Sequence, residues 1–299
     1  MTATLSLITT CKGRLDHLRQ SLPRMAAQPG TETVVVDYDC PDGTGEWVAR
    51  HYPQVRLVQV KGVDGFNASH ARNIGARAAT APWLGFFDAD VLLAERFSAS
   101  VLPALRTGNY YRASPVTLQT WGSIICHRDD FFRINGYDEA YVGWGGEDDD
   151  LLAMLALHRI TGYGYPATLL DEVDHGDERR TQFAAVKSRW LQSRINQVYL
   201  HAKLDLIRLH GIPPTVQESR LIFAEIERMV LQTNAAGNTD CAINLSLPEQ
   251  MLGSPPQEGM IELNKLSRSM SYKLSFIGTR PSPGVPQPNL PMIDSGGKA

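Results

Sequence analysis

Two acidic clusters carry the residue types and spacing that could do chemistry. The first, Asp88-Ala89-Asp90, follows the apolar run Trp83-Leu84-Gly85-Phe86-Phe87. Two aspartates around one small residue can serve two partners. One can meet a divalent ion and the other a nucleotide ribose or the outer shell of the ion. Hard oxygen ligands suit Mg²⁺ or Mn²⁺, and a diphosphate can complete the coordination. An aspartate at a strand end also serves simply to cap the next helix, and the triplet alone leaves both readings open. The second cluster, Glu147-Asp148-Asp149-Asp150, stands before an apolar helical run of Leu151, Leu152, Met154, Leu155 and Leu157. Acidic residues in a first turn complement the helix dipole, yet four in a row repel one another more than capping requires. Gly143-Trp144-Gly145-Gly146 precedes them as an aromatic-edged, flexible loop. A ring beside carboxylates suits a sugar, which offers one apolar C–H face and hydroxyls that seek acceptors.

The elements that must position these clusters alternate. Strands are expected at 5–8, 33–37, 55–60 and 83–87, with helical patterns at 14–27, 43–51 and 69–79. Continuous apolar strands separated by helices predict an α/β fold with a mostly parallel sheet covered on both faces. Ligands gather at the carboxyl ends of such strands, where Thr9-Thr10-Cys11, Asp37-Tyr38-Asp39 and Asp88-Ala89-Asp90 fall. Residues 109–126 read as less regular strand, 180–210 as one long helix, and the tail from Thr279 as flexible, being rich in proline and glycine. The expected division is a catalytic domain at 1–178, a mainly helical extension at 179–278 and a flexible tail at 279–299.

The 299 residues are 43% hydrophobic and 20% charged, ordinary for a soluble globular protein. A net charge of -3 offers no bulk attraction to nucleic acid, and none is expected as a partner. Cys11, Cys40, Cys126 and Cys241 form no C-x-x-C pair, so free thiols are expected. No apolar run is long enough for a signal peptide or a membrane span, and the expectation is a cytoplasmic protein. Arg180, Lys187, Arg194, His201 and Arg208 recur every seven residues. They are a solvated face on a core-packed helix or, on the sharper reading, a basic stripe over 180–208. That stripe would make peripheral contact with the inner membrane face or a phosphate-bearing acceptor.

Trp144-Gly145-Gly146-Glu147-Asp148-Asp149-Asp150 resembles the signature of the β-1,4-galactosyltransferases, and Asp88-Ala89-Asp90 is similar to that family's metal motif. Thr9-Thr10-Cys11-Lys12-Gly13-Arg14, Val36-Asp37-Tyr38-Asp39 and Ala71-Arg72-Asn73-Ile74-Gly75 resemble the inverting transferases of family 2. The resemblance spans roughly residues 3 to 178. It implies a GT-A fold, a UDP-sugar donor of galactose or N-acetylgalactosamine type, and a glycan or a lipid- or protein-linked sugar as acceptor. It also implies Mn²⁺ or Mg²⁺ as cofactor.

By the same resemblance Asp148 is the general base, which takes the proton of the attacking acceptor hydroxyl. Trp144, Gly146, Glu147 and Asp149 bind the donor or acceptor sugar. Thr9, Arg14, Asp39, Asn73 and Asp88 belong to the nucleotide pocket, and Asp90, His175 and Asp88 to the metal. The family has methionine where this chain has Glu172. One alternative is retention of configuration, as in the polypeptide N-acetylgalactosaminyltransferases with a similar Trp-Gly-Gly-Glu segment. Others are a nucleotidyltransferase, which Lys12-Gly13-Arg14 is too meagre to support, and a non-catalytic sugar-nucleotide-binding module.

Overall fold

The structure, a computed structural model, describes residues 2–117, 120–174, 176–237, 240–246, 269–275 and 290–293. It forms two compact units. The first comprises Met1–Tyr137, Glu147–Phe183 and Ser282–Ala299, the second Asp138–Gly146 and Ala184–Pro281. The unit boundary therefore falls five residues beyond the expected 178. Residues 138–146 leave the first unit because Ala140 and Tyr141 pack into the helical core of the second.

The first unit begins with β1 (Leu5–Cys11), α1 (Leu15–Ala26), β2 (Thr31–Tyr38), α2 (Thr44–His51), β3 (Arg56–Val60), α3 (Ala68–Ala78) and β4 (Trp83–Phe86). It continues through β5 (Val91–Leu93), α4 (Phe97–Val101), β6 (Asn109–Ser114), β7 (Ile124–His127) and α5 (Arg128–Arg133). It ends with α6 (Glu147–Leu157), β8 (Thr161–Pro166) and β9 (Leu170–Glu172). Seven strands form one sheet in the order β3-β2-β1-β4-β7-β6-β8. β7 pairs antiparallel with both neighbours, and the other pairings are parallel. Every residue of β1 is buried, as a strand covered on both faces must be. At Gly75 a Cβ would come within 2.4 Å of Ile8 Cγ2, so only glycine lets α3 lie this close to β1.

A second, two-stranded ladder pairs β5 antiparallel with β9. The Val173 N–H continues it by donating to the Asp90 carbonyl at 2.8 Å. Part of the proline-rich tail is ordered, against expectation. Gly164 donates to Pro291, Ile293 donates back to Gly164, and Ile293 is buried in the main core. The free N–H and C=O of Gly164, with one apolar side chain to bury, outweigh the proline content there.

The second unit holds α7 (Arg189–His210), α8 (Val216–Ala235) and an antiparallel pair, β10 (Asp240–Ser246) and β11 (Ser269–Ser275). Leu191, Ile195, Val198, Ala202 and Leu206 repeat at helical spacing and bury against Ile222, Phe223, Ile226 and Val230. The single helix expected over 180–210 is corrected. Ser188 caps α7 by accepting the Leu191 N–H, and Asp177–Arg180 is a separate 3₁₀ turn in the first unit. The seven-residue basic stripe is broken accordingly: Arg180 and Lys187 lie outside the helix, and Arg208 pairs with Asp205. Among the described residues no helix is long and apolar enough to cross a membrane.

Candidate active site at the first turn of α6

The four carboxylates form the first turn of α6 itself, one turn earlier than the apolar run indicates. Their charge meets the free N–H groups of the helix start and, more decisively, one buried arginine. Arg72 projects from α3 and is 5% exposed. Its Nη2 donates to Asp88 Oδ1 at 2.9 Å, and its Nη1 donates to Glu147 Oε1 and Asp148 Oδ1, both at 3.1 Å. The guanidinium also lies 5.1 Å from the Tyr137 ring centroid, and Tyr137 Oη donates to Asp148 Oδ1 at 3.4 Å. The backbone at Gly122 closes over the group: a Cβ there would stand 3.0 Å from both Arg72 Nη2 and Asp148 Oδ2. The acidic triplet and the acidic run, 57 residues apart at their nearest members by number, thus meet on a single guanidinium.

Arg72 does not neutralise both Glu147 and Asp148, which are removed from water. Desolvation raises the Glu147 carboxyl to about 7, with Asp148 adding to the rise and Arg72 opposing it. Desolvation also raises Asp148, against Arg72, with Asp88 adding to the rise. Asp149 is raised by burial although it accepts the Trp121 indole N–H at 2.9 Å. At Asp88 desolvation is outweighed by Arg72, with help from Arg14 and Arg180, and the carboxyl is lowered. The turn of α6 therefore holds carboxyls shifted toward neutral pH, beside an aspartate that stays ionised. Such a pairing can accept a proton from a neutral hydroxyl and hold a cation.

The triplet's two aspartates differ in access. The Asp88 side chain is 41% exposed; that of Asp90 is 10% exposed, with Oδ2 held at 2.9 Å by Arg14 Nη1. Arg14, expected in the nucleotide pocket, stands just before α1 and reaches the triplet. Both carboxylates offer the oxygen donors that a hard divalent ion prefers, and Asp88 is the accessible one. His175 lies outside the described residues. Among the described residues no group of three or more His, Cys, Asp or Glu is assembled to hold a metal ion. Glu172 is half-buried in β9.

Two of the residues expected in the nucleotide pocket have inward-facing surroundings. Thr9 is fully buried in β1, its hydroxyl without a partner among the described residues, so a solvent-borne ligand does not reach it. Asn73 is a structural clamp: its side chain donates to the Tyr137 carbonyl at 2.9 Å and accepts the Tyr137 N–H at 3.0 Å. Asp39 sits at a φ of 51° and accepts the Val63 N–H at 3.2 Å. Trp144 and Gly146 belong to the second unit. There the Arg189 guanidinium covers the Trp144 ring at 4.3 Å, and Gly146, at a φ of 95°, leaves no room for a Cβ beside Tyr141.

The residue that sequence reasoning passed over is Arg72, one position before Asn73. The signal was partial: α3 carries two arginines, and Arg72 stands among the buried Ala71, Gly75 and Ala76, whereas Arg77 is exposed. Trp121 and Arg112 gave no local signal. Arg112 is fully buried from β6, stacks at 4.6 Å on the Trp121 ring and donates to the Trp121 carbonyl at 2.7 Å.

Comparison with known proteins matches residues 6–126 to Glycosyl transferase family 2. This part of the chain is similar to the family 2 glycosyltransferases. The overlapping stretch 108–176 matches the family described as the N-terminal domain of galactosyltransferase. It contains β6 to β9 and the whole acidic turn of α6. The validoxylamine A glucosyltransferase of Streptomyces hygroscopicus subsp. limoneus is 26% identical over 277 residues, covering 71% of this chain. The chain spans 60% of that relative's length. β-1,4-Galactosyltransferase 4 of Rattus norvegicus is 52% identical over 39 residues, 13% of this chain and 11% of its own. Among solved structures, a mannosyltransferase of Pyrobaculum calidifontis in complex with GDP-Man and Mn²⁺ superposes with a TM-score of 0.50 at 20% identity. That match covers 79% of this chain and 74% of the mannosyltransferase. The fold is GT-A: a mostly parallel sheet flanked by helices, with helices following the family 2 region.

Proposed function

We propose that the chain is an inverting, divalent-metal-dependent glycosyltransferase. It moves a galactose- or N-acetylgalactosamine-type sugar from UDP to a hydroxyl of a glycan or glycoconjugate. The observation that carries this reading is Asp148, a buried carboxylate at the start of α6, raised by desolvation and oriented by Arg72 and Tyr137. A carboxylate in that state can take the acceptor hydroxyl's proton as the oxygen attacks the anomeric carbon. Glu147 and Asp149 offer acceptors for sugar hydroxyls. Asp88 and Asp90 would hold the ion, which when bound supplies positive charge to the departing diphosphate. Arg14, three residues past Cys11 on the loop after β1, keeps Asp90 in place for that task. One displacement assisted by a base inverts the anomeric centre.

The test is donor turnover with Mn²⁺ by the parent and by Asp148→Asn, together with NMR of the product's anomeric proton. Loss of a general base predicts a fall of about 10²–10⁴-fold in kcat with an inverted product. Equal turnover in the two proteins would remove Asp148 as the base, and a retained configuration would replace the single displacement by the retaining alternative.

A further inference from the structure

The first unit also joins the carboxyl ends of two neighbouring parallel strands through sulfur. Cys11 closes β1, and Cys40 lies two residues past the end of β2. Thr44, opening α2, touches both: its Oγ1 stands 3.1 Å from Cys40 Sγ and 3.3 Å from Cys11 Sγ. The Gly13 N–H donates to Cys40 Sγ at 3.1 Å, and the Cys40 N–H is anchored on Asp37 Oδ1 at 2.9 Å. Cys40 is thus a sulfur surrounded by donors, as a thiolate requires. Both sulfurs are free thiols.

The two differ in the way a nucleophile and its resolving partner differ. Cys40 is partly exposed, whereas Cys11 is fully buried. The neighbouring Cys11 lowers the Cys40 thiol to about 6, with Thr44 and the backbone at Asp42 and Gly13 helping against burial. Cys40 and burial in turn raise Cys11, so Cys11 keeps its proton. A polar cavity of about 500 Å³ opens beside Gly13 and Asp42, with Arg19 and Arg179 on its wall.

From this arrangement we infer that Cys40 is a covalent modification site for small electrophiles, and that a peroxide converts the pair to a Cys11–Cys40 disulfide. The Cys40 thiolate attacks one peroxide oxygen; an S–O bond forms, the O–O bond breaks, and the departing hydroxide is protonated to water. Cys11 then attacks the sulfenic sulfur of Cys40. The S–S bond forms, the S–O bond breaks, and the hydroxyl leaves as water with the Cys11 proton. Peroxide is reduced and two thiols are oxidised. Neither step depends on glycosyl transfer.

The test uses the full chain with iodoacetamide and hydrogen peroxide, read by intact mass and peptide mapping. At pH 6 Cys40 is expected to alkylate about tenfold faster than glutathione. Peroxide should yield a product two hydrogens lighter, mapped to a Cys11–Cys40 peptide. In Cys11→Ser the reaction should stop at a sulfenic acid on Cys40, trapped by dimedone, and Cys40→Ser should lose both products. Alkylation of Cys40 no faster than glutathione overturns the assignment of the nucleophile. Peroxide treatment of the unsubstituted protein with no Cys11–Cys40 peptide overturns the disulfide.

Discussion

In the second unit Asp138 meets Lys203 Nζ at 2.9 Å and Tyr199 Oη at 2.6 Å through one oxygen, and takes the Ala140 N–H at 2.9 Å through the other. In the first unit the single guanidinium of Arg72 faces Asp88, Glu147 and Asp148. Both clusters are largely buried, yet one is balanced charge for charge and the other carries an excess of negative charge. A balanced buried pair anchors a helix and asks for nothing further. An unbalanced one leaves carboxyls shifted toward neutral pH and a half-exposed aspartate, the groups that the proposed transfer would use as base and as metal ligand. The segment 138–146 ends in the loop before α6, so the anchored region and the reactive one are neighbours in sequence with opposite electrostatic designs.

The comparison breaks most severely at Arg72. Arg72→Met strands the buried carboxylates of Glu147 and Asp148, and chemical denaturation should show a loss of about 5 kcal/mol, the upper end for breaking a buried pair. An unchanged midpoint would mean that the cluster is not held by its cation. Lys203→Met strands one carboxylate and should cost about 3 kcal/mol, most of it regained in the double variant with Asp138→Leu. Failure of the double variant to recover would show that Lys203 does more than balance Asp138.

The last effect sharpens the contrast through pH. The fold raises Glu147 to about 7 from an ordinary carboxylate value of about 4.3. Its contribution to stability is therefore full below about pH 4 and is lost as the pH rises through 7. Glu147→Gln, which cannot ionise, should be more stable than the parent by about 3 kcal/mol at pH 8 and equal to it near pH 4. Thermal melts across that range read the difference. A gap that does not vary with pH would show that Glu147 is not the strained carboxylate.

The local signals reached far. Alternating apolar runs and helical patterns specify the parallel strands β1, β2 and β4, because a strand covered on both faces must be apolar along its length. Chemical type and spacing likewise marked Asp88, Asp90 and the 147–150 run as one site's material. The start of α7 was misplaced because charge periodicity continued past the helix, whereas Ser188 ends it with a single capping hydrogen bond.

By itself, then, the sequence determined the fold class, the acidic residues of the site and the family resemblance. Tertiary structure alone decided what those carboxylates face. That Arg72 gathers residues from α3, from the turn after β4 and from α6, that Thr9 and Asn73 turn inward, and that Cys11 and Cys40 share Thr44 all depend on which elements pack together. A residue's type and position establish which charges and donors it brings. Its pKa and its partners come from burial and from atoms distant in the chain, and no local pattern encodes those.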